Sequence, residues 1–239
     1  MNDPHGFHAL LFPHAGGSAA VMHNFSAALK KYFSVHTMEL PGRGKRRKER
    51  LLYKIDDAIA DFATKVPSQG ALTFIGHSLG AYLAYMMARY VRCRQPGRQV
   101  NLVVISNLPI HLRKCFCEIR QGETSEDKLL DFATYAGGIP DWLKDEPELR
   151  SQFLQVLAAD LSIADSINQN QDRQLENIPL FVIYGNDDPL LDERVLEWSQ
   201  YGPGIFKVLS LSGGHFILSD RGEEIAHQII NFVHSQKIN

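Results

Sequence analysis

The sequence predicts a doubly wound α/β protein, with a mostly parallel sheet covered by helices on both faces and a helical insertion late in the chain. Three observations carry that prediction. Short apolar runs rich in Val, Ile, Leu and Phe recur without strict alternation, as strands buried on both faces do. Segments of helical length and period lie between most of them. One stretch of about sixty residues, from near Arg113 to Glu176, has helical patterns and no good strand.

The expected strands are His8 to Phe12, Ser34 to Leu40, Leu72 to Ile75, Asn101 to Ser106, Leu180 to Tyr184 and Phe206 to Leu211. Phe25, Ala28 and Leu29 mark a first helix, Ile55, Ile59, Phe62 and Ala63 a second, and Leu79 to Tyr90 a third. Within the insertion, Thr124 with Asp127 has the spacing of a capping box and opens a helix carrying Leu129, Leu130 and Phe132. A second helix follows Pro147, with Leu149, Phe153, Val156, Leu157 and Leu161 as its apolar stripe. The insertion, about 113–176, reads as a cap over the sheet edge within a single domain spanning 1–239.

Length and composition suit that reading. The chain has 239 residues, 44% hydrophobic and 22% charged, the balance of a soluble globular domain. No apolar run approaches a bilayer-spanning length, and the first residues carry no export signal, so a cytoplasmic protein is expected with no membrane partner. A net charge of −2 argues against nucleic acid as a partner. Cys93, Cys115 and Cys117 are too few and too unevenly spaced for a disulfide framework, and Cys-Phe-Cys without a second pair makes a poor zinc site. No metal is expected.

The strongest chemical signal is Gly76-His77-Ser78-Leu79-Gly80, between the strand ending at Ile75 and the helix beginning near Leu79. A nucleophile elbow requires that setting, because the serine must project from a tight strand-to-helix turn whose glycines let backbone pass close by. The helix N-terminus behind Ser78 favours developing negative charge. A serine hydroxyl needs a base to take its proton. His215, in Ser212-Gly213-Gly214-His215-Phe216 after the last strand, is placed to swing over the sheet's carboxyl edge. His77 is too close in sequence to Ser78 to have base geometry. The base in turn needs an acid to fix its tautomer. Asp188 in Gly185-Asn186-Asp187-Asp188-Pro189 is preferred and Asp187 is the alternative. Ser, Asp, His is the chain order of α/β-hydrolases. The oxyanion donors expected are the backbone N–H groups of Leu79 and of Ala15, the latter in the loop Phe12 to Ser18.

Taken together, FPHAGGS from Phe12, LPGRG from Leu40, GHSLGA from Gly76, GNDDPL from Gly185 and GGHF from Gly213 resemble the type II thioesterases, stand-alone editing enzymes of polyketide and nonribosomal-peptide assembly lines. The motifs follow that family's order and spacing across nearly the whole chain. The resemblance implies the α/β-hydrolase fold, a flexible helical lid after Arg113, and hydrolysis of acyl thioesters from the phosphopantetheine arm of acyl- or peptidyl-carrier proteins. It places the triad on Ser78, Asp188 and His215 and the oxyanion donors on Ala15 and Leu79, and it implies no cofactor. A carboxylesterase or lipase acting on oxygen esters would use the same residues. Two segments depart from the family's pattern, Lys45-Arg46-Arg47-Lys48 and Ser166 to Gln171, which leaves acyl preference and carrier docking open.

Six of the eight residues from Arg43 to Arg50 are basic. Such a run either steers an acidic carrier or is a solvated loop. Tyr82, Tyr85, Met86 and Met87 read as core packing on the helix after the nucleophile, substrate-binding residues are unassigned, and a monomer is expected.

Overall fold

The structure is a computed structural model that describes residues 6–116, 125–139, 141–168, 178–202 and 204–236. Six parallel strands form one sheet in the order β2-β1-β3-β4-β5-β6. They are β1 (Phe7–Phe12), β2 (Ser34–Thr37), β3 (Ala71–His77), β4 (Val100–Ile105), β5 (Leu180–Gly185) and β6 (Phe206–Leu211). All six apolar runs are strands. Most differ from the expected bounds by a residue or two, and two of them stop short of the expected end. β2 stops at Thr37, although Met38 still donates to the Leu11 carbonyl at 2.8 Å. β4 ends at Ile105 because Ser106 turns to a φ of 50°.

Alternate residues of the central strands feed two cores, which is why their sequences are continuously apolar. Leu10, Phe74, Leu102 and Val182 face α2 (Ile55–Ala63) and α3 (Leu79–Arg94). Ala9, Ile75, Val103 and Phe181 face α1 (His23–Leu29) and the last helix, which spans Ile217–Ser235. Strand order reverses between β1 and β3, the kind of switch point where open α/β sheets bind ligands beyond their carboxyl ends. The loops after β1 and β3 hold Ala15 and Ser78.

Between β4 and β5 the chain forms α4 (Ser125–Tyr135), the short α5 (Asp141–Lys144) and α6 (Pro147–Asp165); the last helix is α7. Thr124, the expected capping residue, lies outside the described residues, as do Cys117 and Gln169 to Gln171. α4 and α6 pack through Leu129, Ala133, Leu154, Leu157 and Leu161 in a small core of their own. The expected stripe on α6 needs correction at its start. Leu149 is 48% exposed, because the buried face runs instead through Leu154, Leu157, Leu161 and Ala164. That face also carries a fully buried acid, Asp160.

Candidate active site

Ser78 stands between β3 and α3 with φ 55° and ψ −122°, a backbone conformation that a side chain adopts only under constraint. The constraint comes from neighbours on every side. Ser78 N–H donates to the Ile105 carbonyl at 2.9 Å, and its own carbonyl accepts from Ala81 N–H at 2.8 Å and from Asn107 Nδ2 at 2.6 Å. Asn107 is itself tied down, because its carbonyl accepts from Trp198 Nε1 at 2.8 Å. The two motif glycines are required by closeness. A Cβ on Gly76 would lie 2.0 Å from the Gly80 carbonyl oxygen, and one on Gly80 would lie 2.0 Å from that of Phe12.

The Ser78 hydroxyl donates to His215 Nε2 at 2.9 Å, and His215 Nδ1–H donates to Asp188 Oδ2 at 2.8 Å. The other Asp188 oxygen accepts from Leu190 N–H at 2.9 Å, so the carboxylate is held at both ends. Asp188, the acid preferred from sequence, is buried, and the alternative Asp187 is exposed. His77 is engaged elsewhere. Its Nε2 donates to the His215 carbonyl at 2.7 Å, and burial first, then the nearby His14 and His215, hold its pKa well below the ordinary 6.5. It is a neutral prop for the His215 loop.

His14 lies in the loop after β1. Burial pushes its pKa down to about 4; the hydrogen bond to the Ala15 carbonyl opposes this, and His215 and Arg43 reinforce it. Its Nδ1 therefore carries the hydrogen donated to that carbonyl at 2.9 Å. Gly17 N–H donates to the His14 carbonyl at 3.0 Å. Among the described residues no acceptor engages Ala15 N–H, and Leu79 N–H belongs to the first turn of α3, which has no intrahelical acceptor.

Above these groups lies a mainly apolar chamber of about 110 Å³, bounded by the sheet edge and the insertion. Ser78 and His215 open onto it, with Tyr82, Phe132, Phe153 and Leu157 among its walls. Tyr82 thus does more than the core packing expected of it, whereas Tyr85 packs against Trp198 and Tyr201. The basic run also needs correction. Arg43 is buried in a two-pronged pair with Asp160, at 2.5 and 2.7 Å, and Arg46 is held by Asp61 and Glu49. Only Lys45, Arg47, Lys48 and Arg50 remain exposed. Sequence reasoning missed Asn107, Trp198 and Asp160. The one signal for Asp160 was an acid set among apolar residues in Ala158-Ala159-Asp160-Leu161. No group of three or more His, Cys, Asp or Glu suited to a metal occurs among the described residues, and no described helix is long and apolar enough to cross a membrane.

A thioesterase domain model matches residues 8–235. The chain belongs to the thioesterase domain family. Within that family it is 30% identical over 223 residues to the thioesterase PikA5 of Streptomyces venezuelae, covering 91% of this chain and 77% of that protein. Its fold superposes on RedJ, a thioesterase of the prodiginine biosynthetic pathway in Streptomyces coelicolor, with a TM-score of 0.84 and 25% identity over 96% of this chain and 92% of the other. ClbQ, from the colibactin NRPS/PKS pathway, has a TM-score of 0.82 over 98% of this chain and 99% of its own; at 20% identity that likeness is one of fold.

Proposed function

We propose that this thioesterase is a stand-alone editing enzyme that hydrolyses acyl groups from the phosphopantetheine arm of acyl- or peptidyl-carrier proteins of polyketide or nonribosomal-peptide assembly lines. The observation that carries the chemistry is the unbroken line of hydrogen bonds from Ser78 through His215 to Asp188 at the floor of an apolar chamber. The carrier substrate is supported by relatives such as RedJ, which belongs to a biosynthetic pathway.

In this reading Ser78 Oγ attacks the thioester carbonyl carbon while its proton passes to His215 Nε2. Asp188 keeps the proton of His215 on Nδ1 and stabilises the imidazolium that forms. The carbonyl oxygen becomes an oxyanion, facing the N–H groups of Ala15 and Leu79. The C–S bond breaks, and the pantetheine thiol leaves with the proton from His215. Water then repeats the sequence on the acyl-serine, with His215 again as base, freeing the carboxylic acid and restoring Ser78. The acyl group sits in the chamber, and the insertion, about 113–176, acts as a lid on a single domain. The enzyme works as a cytoplasmic monomer that meets its carriers transiently.

Matched substrates with one acyl group on sulfur or on oxygen test the assignment. Faster turnover of the thioester is expected. Hydrolysis of oxygen esters with thioesters left intact would make the protein a carboxylesterase or lipase instead.

A further inference from the structure

The insertion is chemically joined to the loop that carries Ala15. Asp160, on α6, has a side chain with no exposure, and its partner Arg43 is 6% exposed. Oδ2 of Asp160 accepts from the Gly16 N–H at 2.7 Å and from Arg43 Nη1 at 2.5 Å, while Oδ1 accepts from Arg43 Nη2 at 2.7 Å. The carboxylate therefore holds three donors, one of them a backbone amide 144 residues away in sequence. The Phe153 ring, two turns back on α6, fills the space that a Gly16 Cβ would occupy.

That contact bears on the neighbouring amide. The peptide joining Ala15 to Gly16 is fixed at both ends, its carbonyl by the His14 ring and its N–H by Asp160. The peptide before it is fixed at its carbonyl by Gly17 N–H, leaving Ala15 N–H as the free end of a doubly clamped turn. α6 is well rooted for this purpose. Its last residue, Asp165, pairs with Arg113 at 2.6 Å, and Ser166 Oγ accepts from Ile55 N–H at 2.7 Å. A helix anchored in this way serves as a fixed post.

We propose that Asp160, held by Arg43, is a positioning residue for acyl transfer, aiming the Ala15 N–H at the oxyanion by clamping the Gly16 peptide. The proposal rests on the hydrolytic reading above and makes part of the insertion a component of the catalytic machinery. Interactions that strengthen only in the transition state raise kcat, so loss of the clamp lowers kcat and leaves KM nearly unchanged.

The test uses three proteins beside wild type, assayed with one small acyl thioester. Asp160→Ala removes the clamp but also strands the Arg43 charge, so it can lose stability for that reason alone. The double variant Arg43→Met with Asp160→Leu removes both charges together, which a well-packed interior tolerates, and it still lacks an acceptor for Gly16. Displacing a reacting group by about 1 Å can cost on the order of 100-fold, and a misaimed donor should cost about 10- to 100-fold in kcat. The expected result is a double variant with near wild-type melting temperature, unchanged KM and that loss of kcat. Recovery of kcat together with stability in the double variant would reduce the pair to a structural role and overturn the proposal. Ser78→Ala separates the two levels, because turnover persisting in that variant refutes the hydrolytic mechanism whatever Asp160 does.

Discussion

Replacing His14 by asparagine should flatten the protein's response to acid. The His14 ring is held neutral in the fold, with its pKa down at about 4 against an ordinary 6.5, chiefly by burial. Because the folded value is the lower one, the unfolded chain takes up the proton first. The contribution to stability is complete above about pH 6.5 and is lost as the pH falls towards about 4. A difference of this size corresponds to roughly 3 kcal/mol, and the ring is only partly shielded at the chamber wall, so this is an upper figure. Near pH 5 the unfolded state would hold almost one more proton at this site than the folded state, giving a slope of about 1.2 kcal/mol per pH unit. Asparagine keeps an amide donor for the Ala15 carbonyl and does not titrate. Urea unfolding of both proteins between about pH 7 and 4.5 measures the effect, since the carboxylates are common to both and cancel in the difference, and His77 is held low chiefly by burial in both. Wild type should lose stability faster by up to that slope. Parallel curves would refute the assignment of a buried neutral His14 next to the Ala15 carbonyl.

The remaining predictions concern the triad, the elbow and the charged loop. Asp188→Asn should lower kcat by about 10³- to 10⁴-fold at neutral pH by disturbing the His215 tautomer, while exposed Asp187→Asn stays within about twofold; steady-state turnover of a thioester reads both. Gly80→Ala must push backbone aside, because its Cβ would lie 2.0 Å from the Phe12 carbonyl oxygen, and should lower the melting temperature by on the order of 10 °C by calorimetry. Reversing the exposed Lys48 and Arg50 to glutamate should lower kcat/KM for a carrier-bound acyl group, less so at high salt, and leave a small free thioester unaffected. The same readouts for Arg46→Ala should show lost stability instead, because Arg46 is committed to Asp61 and Glu49.

What could be read in the sequence follows from how local each signal is. The six strands were legible because both faces of the sheet are covered, so apolar runs needed no partner to be recognised. The Gly76 to Gly80 turn was legible because its glycines answer to backbone contacts set by a strand and a helix adjacent in sequence. Position in the turn favoured Asp188 over Asp187, and the contact between the Asp188 carboxylate and His215, 27 residues on, is visible only in the fold. Periodicity set the helical character of α6 and most of its buried face but not where along the helix burial begins, hence the misplaced Leu149. The basic run misled for a related reason. Arg43 reads as one more surface cation until Asp160, 117 residues later, is brought beside it. Long-range pairs between single charged residues leave no local trace, and the Arg43–Asp160–Gly16 link is of that kind.

The most direct test of the central claim is deacylation of carrier proteins followed by intact-protein mass spectrometry. Carriers loaded with acetyl, malonyl and longer acyl groups would be incubated with wild type and with Ser78→Ala. Losing the nucleophile costs on the order of 10⁶ in kcat in comparable triads, so the variant should leave every carrier loaded. Loss of the acyl mass with wild type alone is the predicted result. Carriers that stay loaded with wild type, or that are unloaded equally by Ser78→Ala, would contradict it.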